Sequence, residues 1–386
     1  MSSVFEWHIP LSDLDYDHEE EAAALRVLRS KWLSMGKEIE AFEREFACHI
    51  GSHYAISVTN GTAALHLAFL ALGLGPGDEV IQPAINFVAA ANVTIATGAT
   101  PVFADIASID EPVIEPNEIS RRITPRTKAV VVMHYGGYLP RLSAILEICK
   151  DHRLALIEDA CHSVGAQYRD PEGKPPHGKM AGNLGDVGCF SFFSNKNMAV
   201  GEGGMITTND EILARKIRLL RSHGMTTLTW DRYRGHADTY DVLLHGFNCR
   251  LDEIRAAFGR VQLQKLPKNN ERRKWLVGEY GRRLSPLNGW VFPFADYRGS
   301  SSYHLAVLAA PDENKRARVA RALREARIQT SLHYPHIPSF KAFEAFQTDG
   351  LERSQAYARR AITLPLFPGM TESQIEEICF VIRSNI

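Results

Sequence analysis

The chain lacks an excess of charge of either sign. Across 386 residues, 44 Lys and Arg stand against 45 Asp and Glu. This balance removes the electrostatic argument for a nucleic-acid partner or an anionic membrane surface. Cysteine is sparse and scattered: Cys48, Cys149, Cys161, Cys189, Cys249 and Cys379 form no C-x-x-C pair, so neither a zinc site nor a redox motif is indicated. The apolar neighbours of several suit reduced, buried thiols, and no structural metal is expected. No apolar run approaches a membrane-spanning length. Met1 to Glu21 has no basic segment followed by an apolar stretch, which is not a secretory signal. A cytoplasmic location is therefore expected, and the glycosylation-like triplets Asn60-Gly61-Thr62 and Asn92-Val93-Thr94 are read as chance. No G-x-G-x-x-G follows a strand, which disfavours a dinucleotide-binding dehydrogenase. Internal repeats and low-complexity segments are absent too.

What is present is a soluble globular composition, 45% apolar, long enough for two or three domains without disulfide staples. Ile39, Phe42, Phe46 and Ile50 recur at helical spacing, with Gly51 as a stop. A strand over Tyr54–Val58 leads to a helix opened by Thr62 and closed by Gly73. Further strands are expected at Glu79–Gln82, Pro101–Ala104, Ala129–Met133, Leu154–Ile157, Val187–Phe193 and Gly204–Thr207, with a helix over Leu142–Asp151. Strands alternating with helices imply a mostly parallel α/β sheet, and Ala129–Met133 is apolar throughout, as in a sheet covered on both faces. From about Gln262 the texture changes. Short strands at Trp290–Phe294, Tyr303–Ala309 and Ile328–Ser331 surround a basic helix, Glu313–Arg327, with a helix over Asp252–Leu266 as the joint. The expected division is a large α/β domain over residues 1–261 and a smaller α+β domain over 262–386.

Lys196 carries the most chemical information. It follows the apolar run Cys189 to Phe193 and precedes Gly201-Glu202-Gly203-Gly204. It is either a solvated lysine at a strand end or a buried amine. Burial lowers a lysine pKa, and a neutral amine forms Schiff bases with aldehydes and ketones. Four further features fall near the C-terminal ends of expected strands, the edge where open α/β sheets bind ligands. Asn60-Gly61-Thr62-Ala63 is a helix start: a phosphate cradle or an ordinary cap. Asp159 is a partner for a protonated ring nitrogen or a helix cap. Ser191 is a phosphate ligand or a backbone-bonded hydroxyl. Phe87 is a stacking face or core packing. Together they supply the amine, carboxylate, cradle and stacking face that pyridoxal 5'-phosphate requires.

These residues belong to longer motifs. In order they are Trp32-Leu33-Ser34-Met35-Gly36, Asn60 to Leu65, Ile157-Glu158-Asp159-Ala160-Cys161-His162, Phe190-Ser191-Phe192 with Lys196-Asn197, and Gly201 to Met205. Gly246-Phe247-Asn248-Cys249-Arg250, His333-Tyr334-Pro335 and Leu364 to Gly369 follow. Nearly end to end, the chain resembles the DegT/DnrJ/EryC1/StrS aminotransferases, sugar aminotransferases among the fold type I pyridoxal-phosphate enzymes. The resemblance implies a Schiff base at Lys196, a ring-nitrogen partner in Asp159, and His162 near the phenolic oxygen, where many relatives carry glutamine. It implies a phosphate site built from Ser191 and the backbone of Gly61, Thr62 and Ala63, and stacking by Phe87. Asn248 would reach the phosphate of a second subunit, hence a homodimer with shared active sites. Arg250 would meet an anionic substrate or be ion-paired; His333, Tyr334 and His336 would line the sugar pocket or pack the small domain. The implied reaction moves an amino group from L-glutamate to a 3- or 4-keto-sugar carried on a nucleotide. Amination of a cyclitol, dehydration on the same fold, and a non-catalytic regulatory relative are the alternatives. The chain departs from common members at Ser194-Asn195 and at Cys161-His162.

Overall fold

Glycines and polar caps cut this chain into its elements. The structure, a computed structural model, describes residues 6–386 apart from 171, 228–229, 231–232, 234 and 236–237. The elements used below are α1 (His18–Ser30), α2 (Lys37–Ile50), β1 (Tyr54–Val58), α3 (Gly61–Leu72), β2 (Glu79–Pro83), α4 (Ala89–Ala96) and β3 (Thr100–Ala104). They continue with α5 (Pro116–Arg122), β4 (Thr127–Met133), α6 (Leu142–His152), β5 (Ala155–Asp159), β6 (Val187–Ser191), β7 (Gly204–Thr208) and α7 (Glu211–Arg221). The C-terminal elements are α8 (Glu253–Leu284), β8 (Ala306–Ala309), α9 (Glu313–Glu325), α10 (Glu352–Arg360), β9 (Ala361–Leu364) and α11 (Glu372–Arg383).

The main sheet has seven strands in the order β1-β7-β6-β5-β4-β2-β3. Only β7 runs against its neighbours: it pairs antiparallel with β1 and β6, while β6-β5-β4-β2-β3 are parallel. Strand β4 shows why its sequence is unbroken in hydrophobicity. Ala129 and Val131 enter one core, with Leu67 and Phe69 of α3, whereas Val130 and Val132 enter another, with Leu142 and Ile145 of α6. Burying each such valine contributes roughly 1.5–3 kcal/mol. Helix α3 is begun by Asn60, whose side chain accepts from Ala63 N, and ended by Gly73 at φ 78°.

Helix α8 is longer than its sequence signals. The expected joint ends at Leu266, before Pro267, yet the helix runs on to Leu284 with Pro267 inside it. Its first half packs Ala256, Leu263 and Leu266 against Phe42 and Phe46, and its second half packs Leu276, Tyr280 and Leu284 against Val319, Leu323 and Ile378. Burial along both halves outweighs the hydrogen bond that a proline forfeits. The expected division at 261/262 thus falls inside one continuous helix.

The second sheet is two-stranded, β8 antiparallel to β9. Two of the expected short strands are corrected: Trp290–Phe294 contributes a single bridge, Val291 to Ala309, and Ile328–Ser331 contributes bridges from Ile328 to Ile9 and from Ser331 to Thr363. The expected Tyr303–Ala309 is a strand only over Ala306–Ala309, and Ala361–Leu364, not anticipated, is its partner.

Candidate active site

Three parallel strands end together, and their last residues open into one cavity of about 400 Å³. Met133 closes β4, Asp159 closes β5 and Ser191 closes β6; all three line it, with Gly61 and Thr62 at the start of α3. Strand β6 stops at Ser191 rather than Phe193, which makes one bridge to Gly201. That turn swings Lys196 back over the strand ends into the cavity wall.

Lys196 is half-buried, and among the described residues nothing hydrogen-bonds or ion-pairs with its ammonium. Burial pushes its pKa below the ordinary lysine value, and Cys161 and Asp159 partly oppose the shift. Asp159 is buried at 3% exposure; Asn86 Nδ2 donates to its Oδ2 at 3.2 Å and Cys161 N to its Oδ1 at 3.3 Å. Its neighbour Glu158 points to the opposite face. There it accepts from the backbone N–H groups of Gly182, Leu184 and Gly185 at 2.7–2.8 Å and lies 2.7 Å from His134 Nε2. The alternation of the strand thus assigns one carboxylate to the cavity and the other to the scaffold.

Gly61 is where α3 meets β6. A Cβ there would lie 2.9 Å from Ser191 Cβ and 3.2 Å from Cys161 Sγ, so a side chain is excluded. Ser191 Oγ and the N–H groups of Gly61 and Thr62 sit at this helix start, where the helix dipole favours an anion. Ala63 does not join them: its N–H donates to Asn60 Oδ1 at 2.8 Å, and it lies off the cavity.

The far wall is aromatic and uncharged. Phe87, 53% exposed, stands at the rim with its ring centre 5.9 Å from that of Tyr334. His162 stacks on Tyr334 at 5.7 Å between ring centres and lies against His304 at 4.1 Å, the two imidazoles tilted by 44°. Burial, then the cation of Lys196, holds the imidazoles of His162 and His304 well below the ordinary histidine value and lowers His333 to about 4. His304 is fixed by Asn197, whose Nδ2 donates to Ser302 O at 2.7 Å and whose Oδ1 lies 2.9 Å from His304 Nδ1.

The fold therefore brings together Lys196, Asp159, Ser191, Gly61, Thr62, Phe87, His162, His333 and Tyr334. His336 is not with them; it lies off the cavity, 2.9 Å from Ser339 Oγ, where its backbone bridges to Ile85. Asn248 is exposed and bridges to Ser222, and Arg250 carries a buried Nη1 without a hydrogen-bond partner; neither lines the cavity of its own chain. Sequence reasoning missed Asn86, although it sits just past a strand end beside Phe87. It also missed His304, 142 positions beyond His162, to which nothing local points.

An unpaired lysine at the carboxyl edge of an open α/β sheet, facing a carboxylate and a helix N-terminus, defines a fold type I aminotransferase. More narrowly, the chain belongs to the DegT/DnrJ/EryC1/StrS aminotransferase family, whose sequence pattern spans residues 14–383. It is 39% identical over 379 residues to the spore coat polysaccharide biosynthesis protein SpsC of Bacillus subtilis, covering 95% of this chain and 94% of that one. Among solved structures it is similar to DesV of S. venezuelae (32% identity, TM-score 0.89, 98% of each chain). It is also similar to Helicobacter pylori PseC, an aminotransferase involved in the biosynthesis of pseudoaminic acid (28% identity, TM-score 0.88, 99% of this chain and 98% of that one). Among the described residues, no helix is long and apolar enough to cross a membrane.

Proposed function

We propose that this enzyme transfers an amino group from an amino-acid donor, L-glutamate, to the carbonyl of a keto-sugar carried on a nucleotide, with pyridoxal phosphate bound at Lys196. One observation carries the reading: among the described residues Lys196 has no hydrogen-bond or ion-pair partner, in a cavity that also holds the Asp159 carboxylate and the start of α3. The residues present fit the cofactor. Gly61, Thr62 and Ser191 would hold its phosphate, Asp159 its ring nitrogen, and Phe87 a ring face. When bound, the cofactor supplies an electron sink for the carbon that loses or gains the amine.

The chain's own groups do the rest. Lys196 Nζ, with its pKa lowered by burial, gives up its proton more readily than an ordinary lysine and is the group that takes and returns a proton. Asp159, clamped by Asn86 and the Cys161 N–H, keeps its charge aimed into the cavity. The neutral imidazoles beside Lys196 add no second cation to compete for that charge. The sugar acceptor is supported by the names of SpsC and PseC, in polysaccharide and pseudoaminic acid biosynthesis. A homodimer suits the position of Asn248, exposed and off its own cavity, and leaves Asn248 and Arg250 for the site of a second copy.

The test is chemical. Holoprotein treated with borohydride and mapped by peptide mass should carry the pyridoxyl group on Lys196, and Lys196→Ala should lose turnover. Incubation with glutamate and a panel of nucleotide-linked 3- and 4-keto-sugars should yield an amino-sugar by mass, with inososes run beside them as the competing acceptors. An unmodified Lys196, or amination of the inososes alone, sinks the proposal.

A further inference from the structure

Two hydrogen bonds on His162 decide which group of the cavity wall has a proton to give. Gly136 N–H donates to His162 Nδ1 at 3.3 Å. A backbone amide nitrogen cannot accept, so Nδ1 is the unprotonated nitrogen of the ring. His162 is buried and neutral, since burial and nearby Lys196 hold its pKa well below the ordinary value. The single ring proton is therefore on Nε2, which lies 2.8 Å from Tyr334 Oη. The imidazole donates and the phenol accepts. Both nitrogens of His162 are then committed to protein groups, and the ring has nothing left for a ligand.

Tyr334 is left with its own hydroxyl hydrogen. Among the described residues, His162 is the one hydrogen-bond partner of Oη, and in that bond the oxygen accepts. The phenol stays protonated, because burial and then Asp159 raise its pKa well above the ordinary tyrosine value. Tyr334 lines the same cavity as Lys196 and Asp159, and Asp159 is electrostatically close enough to act on it. The cofactor of the proposed reaction has one further polar group beyond aldehyde, ring nitrogen and phosphate: a phenolic oxygen on the carbon next to the aldehyde, on the side away from the phosphate arm. Gly61, Thr62 and Ser191 belong with the phosphate, Asp159 with the nitrogen and Lys196 with the aldehyde. On the opposite wall the Tyr334 hydroxyl is a donor that no acceptor takes up among the described residues.

We infer that Tyr334 O–H, and not the His162 imidazole, donates to the phenolic oxygen of the bound cofactor, with His162 as the positioning residue that aims it. This rests on the reading that pyridoxal phosphate occupies Lys196. The family resemblance places His162 itself near that oxygen; the hydrogen bonds move the donor one residue outward. A donor on the phenolate stabilises its negative charge most when the neighbouring nitrogen has lost its proton. It therefore lowers the pH at which the cofactor's visible absorption band changes, and removing it raises that pH.

The experiment is a spectrophotometric pH titration of wild-type, Tyr334→Phe and His162→Leu holoenzymes, each checked for borohydride labelling at Lys196. Tyr334→Phe should move the midpoint up by about one pH unit, the effect of one charge-assisted hydrogen bond. His162→Leu should move it in the same direction by no more than that, since it leaves the hydroxyl present but unaimed. An unchanged midpoint in a labelled Tyr334→Phe enzyme overturns the inference. A larger shift in His162→Leu than in Tyr334→Phe assigns the bond to the imidazole and overturns it too. An unlabelled Lys196 in the wild type brings down the cofactor reading itself, and this inference with it.

Discussion

Gly61 and Ser191 approach so closely that the Cβ Gly61 lacks would stand 2.9 Å from the Cβ of Ser191. The contact joins the first turn of α3 to the last residue of β6, the two elements of the proposed anion cradle. Gly61→Ala must push them apart. It should cost about 1–3 kcal/mol of stability as overpacking does, and should weaken cofactor binding as well. Urea unfolding of the apoprotein and cofactor titration read the two effects separately. A variant with wild-type cofactor affinity would remove the cradle from the account.

Glu158 and Asp159 are adjacent carboxylates with opposite duties, and substitution should separate them. Glu158→Ala strips a buried acceptor from three backbone N–H groups and from His134. It should destabilise the fold by about 3–5 kcal/mol, as breaking a buried charged network does. Asp159→Asn keeps the shape and should melt close to wild type, but lose turnover by about a hundredfold or more, as losing one preorganised electrostatic group does. Melting curves and single-turnover rates on both variants decide it.

Stability should fall on acidification through a window set by His333. Burial and Lys196 lower its pKa from 6.5 to about 4. Between those values the unfolded chain binds a proton that the native state refuses, so stability rises with pH. This group's contribution is complete above pH 6.5 and lost as pH falls to about 4, a span worth about 3 kcal/mol. His162 and His304, also lowered, act in the same direction. His333→Gln should flatten the dependence of urea-unfolding free energy on pH across this window by one proton. An unaltered slope would refute the assignment.

His336 shares the His333-Tyr334-Pro335 stretch but lies off the cavity, beside Ser339. His336→Ala should leave kcat and KM within about threefold of wild type, as substitutions away from a site do. A loss like that expected of Asp159→Asn would return it to the site.

The legible parts were those written locally. Gly51 and Gly73 end α2 and α3 in the left-handed region as the pattern implied, and the alternation of strands and helices gave the main sheet. Lys196, Asp159, Ser191 and Phe87 were visible because strand ends meet at one edge of such a sheet. Features that depend on remote partners were not visible. Nothing near residue 36 announces that the N-terminus of α2 is capped by the Glu253 carboxylate, which accepts from Gly36, Glu38 and Ile39 at 2.8–3.0 Å. The expected joint ends at Leu266, and only packing on both sides of Pro267 carries α8 onward. At Ala63 the sequence left a cradle and a cap open, and the structure gives its N–H to the Asn60 side chain.

By itself, the sequence determined which residue types stand at the strand ends, because hydrophobic period and turn residues act over a few positions. Those signals place an amine, a carboxylate and a helix start at one edge of a sheet. The tertiary structure alone decided their orientation and their protons. Side-chain direction, burial and the tautomer of His162 depend on groups such as Gly136, His304 and Tyr334, which chain distance keeps apart and folding brings to within about 6 Å of its ring.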